Sequence, residues 1–250
     1  MLSAPADSEA VFLERPNRFL GIAEIDGERE RIHVPDPGRL RELLYPGAGI
    51  LVRRAPPGSA RKTAWTLMAA RSPHGDGWIL TNSLLHSRIA RSLLSSPPLS
   101  PFGEATDIRA EVPVGGSRLD FRLQTPELGT VYVEVKGCTL VEEGEGLFPD
   151  APTSRGRRHM EELAALARTG NSAAVLFLVF APARLVGPNP ATDRAFAESY
   201  WSAVRSGVTV HAHRVSYDGE KVVSAGPAGC LIGVDMPKGM GRIEASNSSH

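Results

Sequence analysis

Residues 131–136, Val-Tyr-Val-Glu-Val-Lys, constrain this chain more than any other stretch. Their alternation is that of a half-buried strand, with Val131, Val133 and Val135 on one face and Tyr132, Glu134 and Lys136 on the other. Arg118-Leu119-Asp120-Phe121-Arg122-Leu123 alternates in the same way, with Asp120 on its polar side. Residues 124–130 contain a proline and a glycine and read as a hairpin loop. Pairing Leu123 with Val131 across it sets Asp120 opposite Glu134. Further upstream, Gly115-Gly116 is a two-residue hairpin turn, and pairing Val114 with Ser117 sets Glu111 opposite Asp120. Three strands then carry Glu111, Asp120 and Glu134 in one row. Opposed like charges destabilise a sheet, so such a row calls for a cation.

The spacing names the chemistry. An aspartate, about fourteen residues, then Glu-x-Lys is the pattern of a metal-dependent phosphodiesterase core. Glu111, Asp120 and Glu134 are the candidate ligands of Mg²⁺ or Mn²⁺, and Asp120, Glu134 and Lys136 the candidate catalytic set. Glu-x-Lys alone describes many solvated strand faces, where the pair contributes little. Its conjunction with Asp120 in a matching hairpin favours the metal site.

Around this meander the chain divides. Residues 1–10 read as a disordered N-terminus. From 11 to 80, short strand-like runs (19–25, 29–34, 49–54 and 63–70) alternate with turns such as Asp26-Gly27, Pro37-Gly38 and Pro46-Gly47, the pattern of a small closed β-barrel. The runs leave open whether the barrel is OB-like or SH3-like. Near 81 the character changes. Asn82 caps a helix reaching about residue 94, and the meander follows over 108–136. Thr153 or Ser154 caps a second helix to about 168, with Met160 and Leu163 on its buried stripe. A buried strand at 174–180, a helix near 192–206 and a strand near 208–214 come next. Helix, three strands, helix, strand is the order of a restriction-endonuclease-like mixed sheet flanked by helices. The predicted class is a two-domain α/β (α+β) protein, with the second domain spanning 81–235 and a flexible tail over 236–250.

Basic residues fall in two groups. Arg15, Arg18, Arg39, Arg61 and Lys62 belong to the barrel, where cations beside aromatic platforms hold single strands; Phe19 and Trp65 are read as core. Arg155, Arg157, Arg158 and His159 cluster at the start of the second helix. Cations there oppose the helix dipole unless an anion binds.

Several blocks in order resemble the sugar fermentation stimulation protein A family. They include Phe12-Leu13-Glu14-Arg15-Pro16-Asn17-Arg18-Phe19, His33-Val34-Pro35-Asp36-Pro37-Gly38-Arg39-Leu40, Arg61-Lys62-Thr63, Ser117-Arg118-Leu119-Asp120-Phe121, Val133-Glu134-Val135-Lys136, Phe148-Pro149-Asp150-Ala151 and Thr153-Ser154-Arg155-Gly156. The resemblance implies an OB-like N-terminal barrel, a PD-(D/E)xK nuclease-like second domain and DNA as partner. It also implies a rival activity, non-enzymatic DNA-binding regulation of sugar-utilisation genes with the nuclease fold as scaffold. The chain departs from the family's usual residues at Asp36-Pro37 and Gly137-Cys138.

Composition sets the outer limits. Twenty-eight basic residues balance 28 acidic ones, so a nucleic-acid surface has to be a local patch. Two cysteines, Cys138 and Cys230, without metal-ligand spacing fit a reducing, cytoplasmic setting. No apolar stretch reaches the length of a membrane span, so no membrane partner is expected. Strandedness of the DNA and oligomeric state are left open. No Gly-rich phosphate loop, Gly-x-Ser-x-Gly elbow or Cys-x-x-Cys pair occurs, which sets aside triphosphate hydrolysis, serine hydrolysis and structural zinc.

Overall fold

A computed structural model of the chain describes residues 1–56, 58, 62–75 and 77–232; the tail expected over 236–250 and the candidate Arg61 lie outside the described residues. After a two-residue strand β1 (Leu2–Ser3), five strands form the N-terminal unit: β2 (Ser8–Asn17), β3 (Leu20–Ile25), β4 (Glu28–His33), β5 (Gly49–Arg54) and β6 (Trp65–Arg71). They close in the order β2-β3-β4-β6-β5-β2, and every pairing is antiparallel except β4 with β6. That parallel closure between the third and fifth barrel strands makes the barrel OB-like, not SH3-like. Phe12, Ile32, Ile50, Val52 and Leu67 fill it. A side chain at Gly21 would come within 2.9 Å of Phe12, so glycine is required there.

The expectation of a disordered residue 1–10 segment is wrong. β1 pairs with a strand near the other end of the chain, Leu2 opposite Val222, and Ala4 is fully buried. β2 already pairs with β5 from Ser8. Neither segment has strong hydrophobic periodicity; backbone pairing to distant partners orders them.

β7 (Trp78–Leu80) links the two units by pairing with both β6 and the C-terminal sheet. Asn82 then accepts a hydrogen bond from the Leu84 amide, capping a short 3₁₀ turn that leads into α1 (His86–Leu94). The meander follows as β8 (Asp107–Val114), β9 (Ser117–Thr125) and β10 (Gly129–Cys138). Two small strands, β11 (Val141–Glu142) and β12 (Glu145–Phe148), precede α2 (Ser154–Arg168). The chain continues through β13 (Ser172–Val179), β14 (Leu185–Pro188), α3 (Arg194–Arg205), β15 (Thr209–Tyr217) and β16 (Lys221–Cys230).

The main sheet runs β8-β9-β10-β13-β15-β16. β10, β13 and β15 are mutually parallel and the remaining pairs antiparallel. β13 reads Ser-Ala-Ala-Val-Leu-Phe-Leu-Val and is buried almost throughout, as a central parallel strand between covered faces should be. α1 packs on the face carrying Gly137, and α2 on the face carrying Glu134. Thr153 caps α2 through the Gly156 amide, and Asp193 caps α3 through the Phe196 amide. The other Asp193 oxygen accepts from the Thr153 amide, which locks the start of α2 to α3. Among the described residues no helix is long and apolar enough to cross a membrane.

Candidate active site

The meander has the expected register. Leu123 faces Val131 and Val114 faces Ser117. The β9–β10 ladder ends at Phe121 and Val133, one position short of Asp120 and Glu134. Beyond it, Asp120 Oδ2 accepts the hydrogen bond of the Val135 amide at 2.8 Å, so the side chain stands where a ladder partner would be. Burial raises the Asp120 carboxyl from 3.8 to about 6, and the nearby charge of Glu134 pushes the same way.

Glu134 is almost fully enclosed, with 2% exposure. Burial alone would raise its pKa, but the Lys136 charge and the bonds from His159 and Lys136 outweigh that and hold it below the usual carboxylate value. Lys136 Nζ donates to Glu134 Oε1 at 2.6 Å, and His159 Nδ1 meets the same oxygen. An ionised carboxylate only accepts, so Nδ1 carries the proton in that contact. Glu134 Oε2 is buried and has no hydrogen-bond partner.

The structure thus brings Asp120, Glu134 and Lys136 together and adds His159, which sequence reasoning had grouped with exposed arginines. The readable signal was its place on the helix: Gly156, His159, Met160 and Leu163 form the buried stripe of α2.

Glu111 does not join them. Its backbone is left-handed (φ 56°), an uncommon state for a residue with a side chain, and it interrupts the β8–β9 ladder between Ala110 and Val112. The side chain is exposed and pairs with Arg118 at 3.4 Å. Glu111 is not among the charges that shift Asp120 or Glu134. Among the described residues, no group of three or more His, Cys, Asp or Glu side chains has the spacing of a metal cage.

The expected basic residues disperse. Arg15 serves the barrel instead of presenting itself to a ligand: its guanidinium donates to the carbonyls of Arg39 (2.5 Å), Arg18 (2.8 Å) and Asp36 (3.0 Å). Arg157 pairs with Glu161 and lines a groove between α2 and α3, away from the carboxylates. Arg39, Lys62 and Arg158 are exposed. Arg18 and Arg155 are exposed and line the same cleft as Asp120, Glu134 and Lys136. Trp65 is buried as expected, with Arg54 over its ring, but Phe19 is half exposed at the surface. It sits in the tight turn between β2 and β3, where the barrel interior does not reach.

That cleft has a volume of about 700 Å³ and is walled by both domains. Asp150, just before α2, accepts from the Leu40 amide of the barrel at 3.0 Å, and Ser83 donates to the Pro35 carbonyl at 2.9 Å. Asp150 leaves no room for a side chain at Gly38, whose Cβ would lie 2.5 Å from the carboxylate. Asp36 accepts from the Gly38 amide at 2.7 Å; burial, aided by the Asp150 charge, raises its carboxyl to about 6. On another wall His86 stacks on Phe180, with ring centroids 4.9 Å apart. Its imidazole fills the space beside Gly137, where a Cβ would lie 2.2 Å from the ring. Burial lowers the His86 pKa to about 4, leaving it neutral.

The family model described as the sugar fermentation stimulation protein RE domain matches residues 84–221, and that of the SfsA N-terminal OB domain matches residues 13–81. A sugar fermentation stimulation protein homolog of Methanococcoides burtonii is 40% identical over 90% of this chain and 93% of its own length. Homologs of the same description from Thermotoga maritima (41% identical, 89% and 95% covered) and Pyrobaculum neutrophilum (46%, 82% and 86%) also match. Among solved structures, Pyrococcus furiosus SfsA, determined in complex with Ca²⁺, superposes with a TM-score of 0.78. It is 27% identical, with 93% of this chain and 100% of that chain covered.

Proposed function

This chain belongs to the sugar fermentation stimulation protein family, and we propose that it binds DNA in its interdomain cleft and hydrolyses phosphodiester bonds with a divalent cation, Mg²⁺ or Mn²⁺. One observation carries the reading: the two oxygens of Glu134 are used unequally. Oε1 takes both donors, Lys136 and His159, while Oε2 is buried without a partner near a second, half-buried carboxylate, Asp120. An orphaned buried carboxylate oxygen is costly, and a hard cation, which Glu134 and Asp120 would hold, would remove that cost. Two carboxylates completed by water and substrate oxygens are a normal donor set for Mg²⁺. The Ca²⁺ in the P. furiosus relative supports a divalent site in this fold.

When bound, the cation lowers the pKa of water and offsets charge on the phosphoryl oxygens. The chain's own residues do the rest. Asp120 and Glu134 would hold the cation, and the Val135 amide anchors Asp120 for that role. Lys136, 11% exposed, keeps an ammonium at the edge of the cleft, where it can neutralise charge developing at the attacked phosphate. Arg18 and Arg155, from different domains, give the strand's phosphates a cationic grip on each side.

The test is cleavage of single- and double-stranded DNA by the purified protein with Mg²⁺, Mn²⁺ or chelator. Cleavage that requires metal and is lost in Asp120→Asn, Glu134→Gln and Lys136→Ala is expected. Equal cutting by wild type and variants, or cutting in chelator, overturns it. The rival reading, DNA binding without cleavage, draws on the two-carboxylate donor set, since among the described residues no third acidic or imidazole ligand completes a cage. Salt-sensitive DNA binding with no cleavage under any metal would favour it.

A further inference from the structure

We propose that His159 sets the metal preference of this site, by confining Glu134 to a single free oxygen. The inference rests on the reading that Asp120 and Glu134 ligate a cation. Two donors converge on Oε1: Lys136 Nζ at 2.6 Å and the Nδ1–H of His159. Both acceptor directions of that oxygen are then engaged. Oε2, enclosed and unpartnered, is the atom left for a metal. Glu134 therefore approaches a cation through one oxygen only.

Coordination through one oxygen discriminates between ions. Mg²⁺ and Mn²⁺ favour octahedral sites with short bonds to single oxygens. Ca²⁺ gathers more oxygens at longer range and often takes both from one carboxylate. Of the two donors on Oε1, Lys136 has a long flexible stem and lies at the cleft, where a substrate phosphate competes for it. His159 has no such freedom. It is buried in the stripe of α2 with Met160 and Leu163, on a helix fixed at its start by Thr153 and Asp193. It acts on the metal through Glu134 and is a positioning residue.

The experiment measures Mn²⁺ and Ca²⁺ affinity of the full-length protein, Mn²⁺ by electron paramagnetic resonance of the free ion and Ca²⁺ by calorimetry. Loss of a ligand's outer hydrogen bond should weaken Mn²⁺ on the order of tenfold in H159L, while Ca²⁺ changes by less than about threefold, so the preference narrows. H159N should restore it, because the Asn amide nitrogen is as many bonds from Cα as Nδ1. H159Q, whose amide lies one bond further, should not. If H159L fails to fold, the Asn and Gln variants alone decide. A Mn²⁺ to Ca²⁺ ratio that is the same in wild type, H159N and H159Q overturns the proposal, as does rescue by Gln equal to that by Asn. The Glu134→Gln variant separates the two levels of the argument. If it still binds metal like wild type, the metal reading itself fails and this inference with it. If it loses metal while the His159 variants keep the wild-type ratio, only the role of His159 falls.

Discussion

Asp120→Asn should make the metal-free protein more stable at alkaline pH, although it removes a residue placed at the centre of the site. In the fold the Asp120 carboxyl is raised from 3.8 to about 6 by burial and by the charge of Glu134. A group whose pKa is raised on folding favours the folded state below its unfolded pKa, and that contribution is lost as pH rises through the folded value. The window is therefore about pH 4 to 6. Above it, keeping Asp120 ionised costs roughly 3 kcal/mol, the energy equivalent of the gap between 3.8 and 6. Asparagine removes the charge yet keeps an oxygen for the Val135 amide, so the backbone bond survives. Urea denaturation of wild type and variant in chelator, at pH 4.5 and pH 8, measures the difference. The variant should be more stable by about 2–3 kcal/mol at pH 8 and by only about 1 kcal/mol at pH 4.5, the upper figure being the full charge penalty. Adding Mn²⁺ should then stabilise wild type selectively, because ligand that binds only the folded state shifts the equilibrium. A variant less stable than wild type at pH 8, or a difference that ignores pH, would refute the reasoning.

Other expectations follow from the same geometry. Arg18→Ala and Arg155→Ala should each weaken DNA binding and flatten its salt dependence by about one charge, whereas Arg157→Ala, which faces the α2–α3 groove, should leave both unchanged in a fluorescence anisotropy titration. Gly137→Ala drives a methyl group into the His86 ring and should lower stability by about 1–3 kcal/mol in denaturant, with loss of the His86–Phe180 stack visible in the His86 ring NMR shifts. Gly38→Ala meets the Asp150 carboxylate, which also holds the Leu40 amide; it should loosen the domain junction, seen as faster hydrogen exchange at Leu40.

Much of this arrangement was legible in the sequence, for identifiable reasons. Gly115-Gly116 and the alternation of residues 118–123 and 131–136 leave little freedom of register, since a one-residue slip would expose Leu119, Phe121, Val131 and Val133. The same logic put Glu111 in the row and failed there, because register counts residues and does not report the left-handed backbone that takes Glu111 out of the ladder. β1 and β16 were invisible locally. β1 has two residues and a partner at the far end of the chain, and β16 contains Gly226-Pro227, which reads as a turn but sits where the β15–β16 pairing is irregular. Arg15 looked like a binding residue because the sequence could not show three backbone carbonyls converging on its guanidinium. His159 was hidden by its neighbours: three exposed arginines suggested a surface, while the helical period pointed inward.

The central claim is that a divalent cation sits between Asp120 and the free oxygen of Glu134. Anomalous diffraction from a crystal of the protein soaked in Mn²⁺ tests it most directly. The account predicts one strong peak bonded to Asp120 and to Glu134 Oε2, with Oε1 still held by Lys136 and His159, and no peak there in Asp120→Asn. A site left empty at saturating Mn²⁺, or a peak lodged only between Asp36 and Asp150, would contradict it.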